Sequence, residues 1–459
     1  MGLGERYGSS KPAPVAMLID VPRRRRISWL MLLLALLMLA GLMPAAAAAA
    51  DAPNSLGLNA TYDVSATIRW GAGKLLVTST ATLTNDTDEP VSALTFNLVP
   101  ARIGRLVLRD VRVGEDAASA IVDDENVIVE LPVALEPGQQ TTVTISYKAT
   151  FNTRSRNKRW LFAKRKGIIT AYRWIPWLSK RYTFATPTFG DPFVTGTTSE
   201  VRVTLTSDKP NLKFAISGHP TEGDGVTETF VAHDVRDFNF TASPYYQVTT
   251  ETYSGVELAY YRISLPLTKM ANYAHTAFDQ FSARVGAYPY DRLVIAESHS
   301  GEGMESPGLV WIPQSATTSA KLRYLVTHEF AHQWFYGVVG SDQAGDPFAD
   351  EALAEFLTRS VIGHRGSKCV ESVLDMRVYD YSRGCYYEVI YVQGDNYLND
   401  YRLRVGDDAF WAGVRLYYER YSFKLGSSYK LLQTLDEAAP EGTGGGHAQR
   451  FPSLYPGGP

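Results

Sequence analysis

From Asn59 to about Tyr253 the chain repeats with a period of two. "YDVSATIRW" alternates Tyr62, Val64, Ala66, Ile68 and Trp70 with polar partners, and "TTVTISYKA" and "EVRVTLTS" repeat this with Val143, Ile145, Tyr147 and with Val201, Val203, Leu205. Successive side chains of a strand point to opposite faces, so these runs predict strands with one buried and one wetted face. Turn clusters such as "NDTDEP" and "EPGQQ" separate them. The pattern predicts an antiparallel β domain over residues 51–253.

After Tyr261 the period lengthens. "LTKMANYAHTAFDQFSARVG" places Leu267, Met270, Ala274, Phe278, Phe281 and Val285 on one helical face and stops at Gly286. A strand-like "DRLVIAES" follows, then "GEGMESPGLVWIP", then further helical spacing in "DEALAEFLTRSVIG" and "DDAFWAGVRLYYERY". The fold class is therefore multidomain α+β, with an α/β domain over residues 254–440 behind the β domain. The last residues, 441–459, are rich in glycine and proline and are expected to be a disordered tail.

The amino terminus departs from both periods. Arg23 to Arg26 precede the apolar run Ile27 to Met43, which is followed by Pro44 and alanines to Ala50. Residues 1–50 thus read as a cleaved signal peptide or as an uncleaved anchor in which residues 27–43 hold the chain to a membrane. Either way the protein is expected to be exported, secreted or at the cell surface. Cys369 and Cys385 are the only cysteines. In an exported chain an even count favours one disulfide, the alternative being two buried thiols.

The net charge is −3, with 45% hydrophobic and 12% aromatic residues, which describes a globular protein without a field for nucleic acid. One local exception is the basic "RSRNKRWLFAKRKG", Arg154 to Gly167, expected as a solvated loop.

Only 8 of 459 residues are histidines, yet two of them stand in "THEFAHQWFYG" as H-E-x-x-H. On a helix His328 and His332 share a face, a spacing that suits two imidazoles on one zinc ion, with Glu329 beside them as a general base. Glu351 in "DPFADEALAEF" lies nineteen residues after His332 and is the expected third ligand. Glu355, one turn on, either accepts the second ring N–H of His328 or is an exposed helix glutamate.

"GMESPGL", "HEFAHQWFYG", "DEALAEF" and "YVQGDNYLNDYRLRVGDDAFWAGVRLYYERY" together resemble the gluzincin aminopeptidases of the aminopeptidase N and leukotriene hydrolase type. "TPTFGDPFVT" and "VRDFNFTASPYY" extend the resemblance into the β domain. It implies a thermolysin-like catalytic domain, zinc on His328, His332 and Glu351, Glu329 as base, and peptide substrates cut at the first peptide bond.

The resemblance also implies that Tyr391, in "YVQG" where the family has Y-x-K-G, steadies the oxyanion, and that Tyr386 lies near the substrate. The family's G-A-M-E-N falls on Glu302, Gly303, Met304, Glu305 and Ser306, which makes Glu305 the anchor of the substrate amine and Gly303 and Met304 its neighbours. Because 68 residues follow Tyr391, the large carboxy-terminal helical domain of bigger members is not expected and the site should be more open. A thermolysin-like endopeptidase and a non-catalytic zinc-bearing peptide-binding module are the alternatives.

Overall fold

The computed structural model describes residues 54–456 apart from 155, 157, 181–192 and 383. The leader lies outside these residues, as does most of "TPTFGDPFVT". Among the described residues no helix is long and apolar enough to cross a membrane.

In the first half, alternation becomes burial as expected. The strand Leu58–Arg69 buries Tyr62, Val64, Ala66 and Ile68 and exposes Asp63 and Ser65 between them. It lies inside an eight-stranded sheet, between Lys74–Asn85 on one side and Val201–Ser207 on the other. Its pairing with Val201–Ser207 is parallel, in register from Tyr62 opposite Val201 to Ile68 opposite Ser207. The sheet is thus mixed, which corrects the expectation of a purely antiparallel domain. Alternation reports which face is buried and is blind to strand direction.

Two four-stranded sheets share a core with this one, built around Val77, Leu83, Val143, Tyr147, Trp174, Phe214 and Phe240.

The basic insert is not a solvated loop throughout. Arg159–Leu161 form a 3₁₀ turn and Phe162–Arg165 a strand, with Trp160, Leu161 and Phe162 buried. Its aromatic members serve the core, while its basic members stay largely outside, Lys164 over the Trp70 ring.

The second half is built on a five-stranded sheet in the order Gln247–Tyr253, Val256–Arg262, Arg292–Ser298, Leu309–Pro313, Met304–Ser306. Its inner pairs are parallel and Arg292–Ser298 is buried on both faces, hence the unbroken apolar centre of "DRLVIAES". By pairing, Gln247–Tyr253 belongs to this sheet, so a boundary at residue 253 falls inside a hairpin.

The helix Leu267–Arg284 presents Met270, Ala274, Phe278 and Phe281 to the core it shares with Ile295, Phe330, Trp334, Phe356 and Phe410. Helices follow at Ser319–Ala331, Glu351–Ile362, Gly394–Val405, Asp407–Tyr421 and Ser428–Ala438.

The tail is not disordered over residues 441–456. Phe451 is fully buried, its ring 4.8 Å from Phe348 and 5.2 Å from Tyr397. His447 is 2% exposed and lies 3.0 Å from both carboxylate oxygens of Asp436. Two anchoring side chains hold a stretch whose composition signals no packing.

The candidate metal centre and its cleft

Two helices meet to form the centre. Ser319–Ala331 starts at Thr318, whose hydroxyl accepts from Lys321 N, and carries His328 and Glu329 in its last turn with His332 as its C-cap. Glu351 opens the next helix, after a 3₁₀ turn at Pro347–Ala349, where a carboxylate also suits the positive end of the helix dipole.

His328 Nε2, His332 Nε2 and Glu351 Oε2 lie 3.3 Å from one another along each edge of a triangle. Bonds of about 2.0–2.1 Å from zinc to tetrahedrally arranged ligands put neighbouring ligand atoms roughly 3.3–3.4 Å apart.

The outer nitrogens are committed elsewhere. His332 Nδ1 lies 2.9 Å from Asp350 Oδ1 and 3.1 Å from the Phe335 carbonyl. His328 Nδ1 lies 3.3 Å from Glu355 Oε2, which also accepts from Tyr324 Oη at 2.8 Å, while Glu355 Oε1 accepts from Arg359. Protons held at Nδ1 leave both Nε2 lone pairs facing Glu351 Oε2, itself buried without a hydrogen-bond donor. Three converging lone pairs repel unless a cation lies between them, so the donor set fits a zinc ion.

The protein charges show the same demand. Burial disfavours the imidazolium of His328, but Glu351 and Glu355 outweigh it and push its pKa up to about 9. Burial would raise Glu351, and the two imidazoles instead hold it well below the usual carboxylate range.

A cleft of about 290 Å³ opens over this triangle, lined by Glu305, Glu329, Tyr387 and Tyr391 among others. Glu329 forms part of its wall, and a Cβ on Gly303 would lie 1.9 Å from Glu329 Oε1, so any larger residue there would have to displace that carboxylate. Met304, almost wholly buried, also lines the cleft.

Glu305 sits in the short edge strand Met304–Ser306 opposite Val310. Its Oε1 accepts from Gln343 Nε2 at 3.1 Å, and the same amide donates to Asp350 Oδ2 at 2.8 Å. Ser306, which takes the place of the expected asparagine, accepts from Asn239 Nδ2 at 2.6 Å and donates to the Glu305 carbonyl.

Tyr391 stacks with His328 at 5.6 Å between ring centres, and its hydroxyl lies within the electrostatic reach of Glu351. Burial and then the charge of Glu351 push that hydroxyl well above its usual pKa, so it keeps its proton and can donate. Tyr386 does not line the cleft: it is fully buried edge-on behind Tyr391, and Tyr387 takes the lining position instead. The segment Tyr387–Gln393 is a π-helix, which shifts the side-chain phase on which a reading of neighbouring tyrosines depends. Cys369 and Cys385 are joined in a disulfide.

Asp350 and Gln343 escaped sequence reasoning. Both lie in the irregular stretch between the two helices, where no period marks them, although an aspartate directly before a ligand is a usable signal. Lys158, paired with Glu302 at 2.7 Å on the cleft wall, was hidden in the basic insert.

No family model matches the chain. Endoplasmic reticulum aminopeptidase 1 of Rattus norvegicus is 25% identical over 343 residues, which are 64% of this chain and 35% of that protein. An M1 zinc metallopeptidase from Deinococcus radiodurans, solved in a mutant form, superposes with a TM-score of 0.64 at 20% identity, over 88% of this chain and 95% of that one. A mutant form of that protein bound to a Tyr-Ser-Ala substrate gives 0.62 at 20% identity, over 83% and 91%. With the centre and cleft in place, the chain has the fold of the M1 zinc metallopeptidases.

Proposed function

We propose that this protein is a zinc-dependent aminopeptidase acting on peptides, with a thermolysin-like catalytic domain behind the β domain. The observation that carries the reading is the triangle of His328, His332 and Glu351, with Glu305, Glu329 and Tyr391 all lining the cleft above it. One zinc ion held by the triangle would supply Lewis-acid polarisation and an acidified water.

The chain's own groups do the rest. Glu329, adjacent to a ligand in sequence, takes a proton from the attacking water and passes it to the leaving amine. Tyr391 donates its O–H towards the carbonyl oxygen as charge develops there. Glu305 accepts from the substrate's α-ammonium, a charge-assisted hydrogen bond that selects a free amino terminus. Asp350 and Glu355 hold the two imidazoles in the tautomer a metal needs. Export fits the disulfide, which persists in oxidising compartments.

The test is a panel of aminoacyl fluorogenic substrates, assayed with and without chelator and after zinc restoration, beside the same peptides with a blocked amino terminus. The expected result is chelator-sensitive release that zinc restores and the block abolishes. Equal cleavage of blocked peptides would turn the reading to an endopeptidase. No turnover by the zinc-loaded protein would leave a binding module.

A further inference from the structure

The tail and the disulfide meet at the segment that carries Tyr391. Residues 363–385 form no helix or strand among those described, and Tyr387–Gln393 is a π-helix, a geometry with little stability of its own. A stretch this long without regular structure stays in one place only if side chains tie it.

Gln393, the last residue of the π-helix, supplies the ties. Its Nε2 reaches Ser367 Oγ at 3.2 Å, the Cys369 carbonyl at 2.9 Å and the Glu371 carbonyl at 2.7 Å, and so spans both sides of one half-cystine. The other half, Cys385, accepts from Val389 N at 2.8 Å in the first turn of the same helix. Thus the disulfide and Gln393 close one ring through the two ends of the Tyr391 segment.

The tail locks this ring from outside. Arg450 Nη2 donates to Gln393 Oε1 at 2.9 Å, and Arg450 Nε donates to the Ser372 carbonyl. Leu374 N returns a bond to the Arg450 carbonyl at 2.8 Å, and Asp375 accepts from Ser453 N at 2.6 Å. Phe451, one residue after Arg450, packs on Phe348 in the turn leading to Glu351. The tail therefore contacts the supports of both Tyr391 and Glu351.

Gln393 also explains the departure from Y-x-K-G. An amide offers donor and acceptor at once, whereas a lysine has no acceptor for Arg450 and would set an ammonium against its guanidinium.

We propose that Gln393 and Arg450 are positioning residues that hold the Tyr391 hydroxyl over the metal triangle, with the carboxy-terminal tail as a working part of the site. This rests on the aminopeptidase reading for its kinetic consequence only. Arg450→Ala and Gln393→Lys in the full chain should each lower kcat by roughly ten- to a hundredfold, the scale of a remote misplacement. KM should stay within about twofold, and zinc content should equal that of the parent. Arg450→Lys should recover part of the loss.

Tyr391→Phe supplies the discriminating background, because Arg450→Ala should cost nothing further there. A multiplicative loss in that background, loss of zinc, or unchanged kcat in both variants would overturn the proposal. A readout independent of turnover is the ¹⁹F resonance of 3-fluorotyrosine placed at position 391, expected to broaden or split in both variants. If the parent turns over no substrate the aminopeptidase reading fails by itself, and an unchanged ¹⁹F line would then sink the brace.

Discussion

Glu329, the proposed base, stands against the cleft wall at residue 303, where an added Cβ would fall 1.9 Å from its Oε1. Glu329→Gln should leave zinc stoichiometry intact and lower kcat by about 10²–10⁴, the usual worth of a positioned acid–base group. Gly303→Ala should lower kcat severely with the far-ultraviolet spectrum unchanged, because the added methyl must displace the carboxylate. His299, 7% exposed, makes a different test. Burial pulls its pKa from 6.5 down to about 4. The unfolded chain takes up this proton first as pH falls, so the contribution is complete above about pH 6.5 and is lost towards pH 4. It amounts to roughly 3 kcal/mol. Denaturant titrations of His299→Gln should show a correspondingly flatter loss of stability over that window.

The helices Ser319–Ala331 and Glu351–Ile362 owe their partnership to carboxylates behind the histidines as much as to the ligands in front. Asp350→Asn leaves the shape unchanged but weakens the hold on His332 Nδ1. Zinc affinity, measured by competition with a chromogenic chelator, should fall about 10- to 100-fold. The glutamate helix was legible because its apolar residues recur every three or four positions, whereas the histidine helix, buried on every side from Thr327 to Ala331, was legible only through the spacing of H-E-x-x-H. Glu305 and Tyr391 needed their flanking words, since a three-residue edge strand and a π-helix have too little period to read. Gln343 and the tail were illegible for a plainer reason. Their roles come from contacts with residues distant in sequence, which local composition does not carry.

The seam between the two halves is held by the string "VRDFNF". Arg236 is 2% exposed and donates to the carbonyls of Thr195 and Val338 at 3.0 Å and of Gly337 at 3.3 Å. A Cβ on Gly340 would fall 2.0 Å from its guanidinium, so glycine makes room for the contact. Asp237 accepts from Tyr336, and Asn239 reaches Ser306. Arg236→Met keeps the bulk but strands the Thr195 and Gly337 carbonyls, Val338 keeping its bond from Phe423 N, and the urea midpoint should drop by the equivalent of roughly 2–4 kcal/mol.

The side-by-side alignment of Leu58–Arg69 with Val201–Ser207 bears on how the protein is made. A ribosome or translocon releases the earlier strand long before its neighbour exists, so one long edge waits unprotected while about 130 further residues are delivered. Such distant closure slows folding and favours a chaperone on the nascent chain. A fragment ending before Val201 should therefore aggregate rather than form a smaller stable β unit.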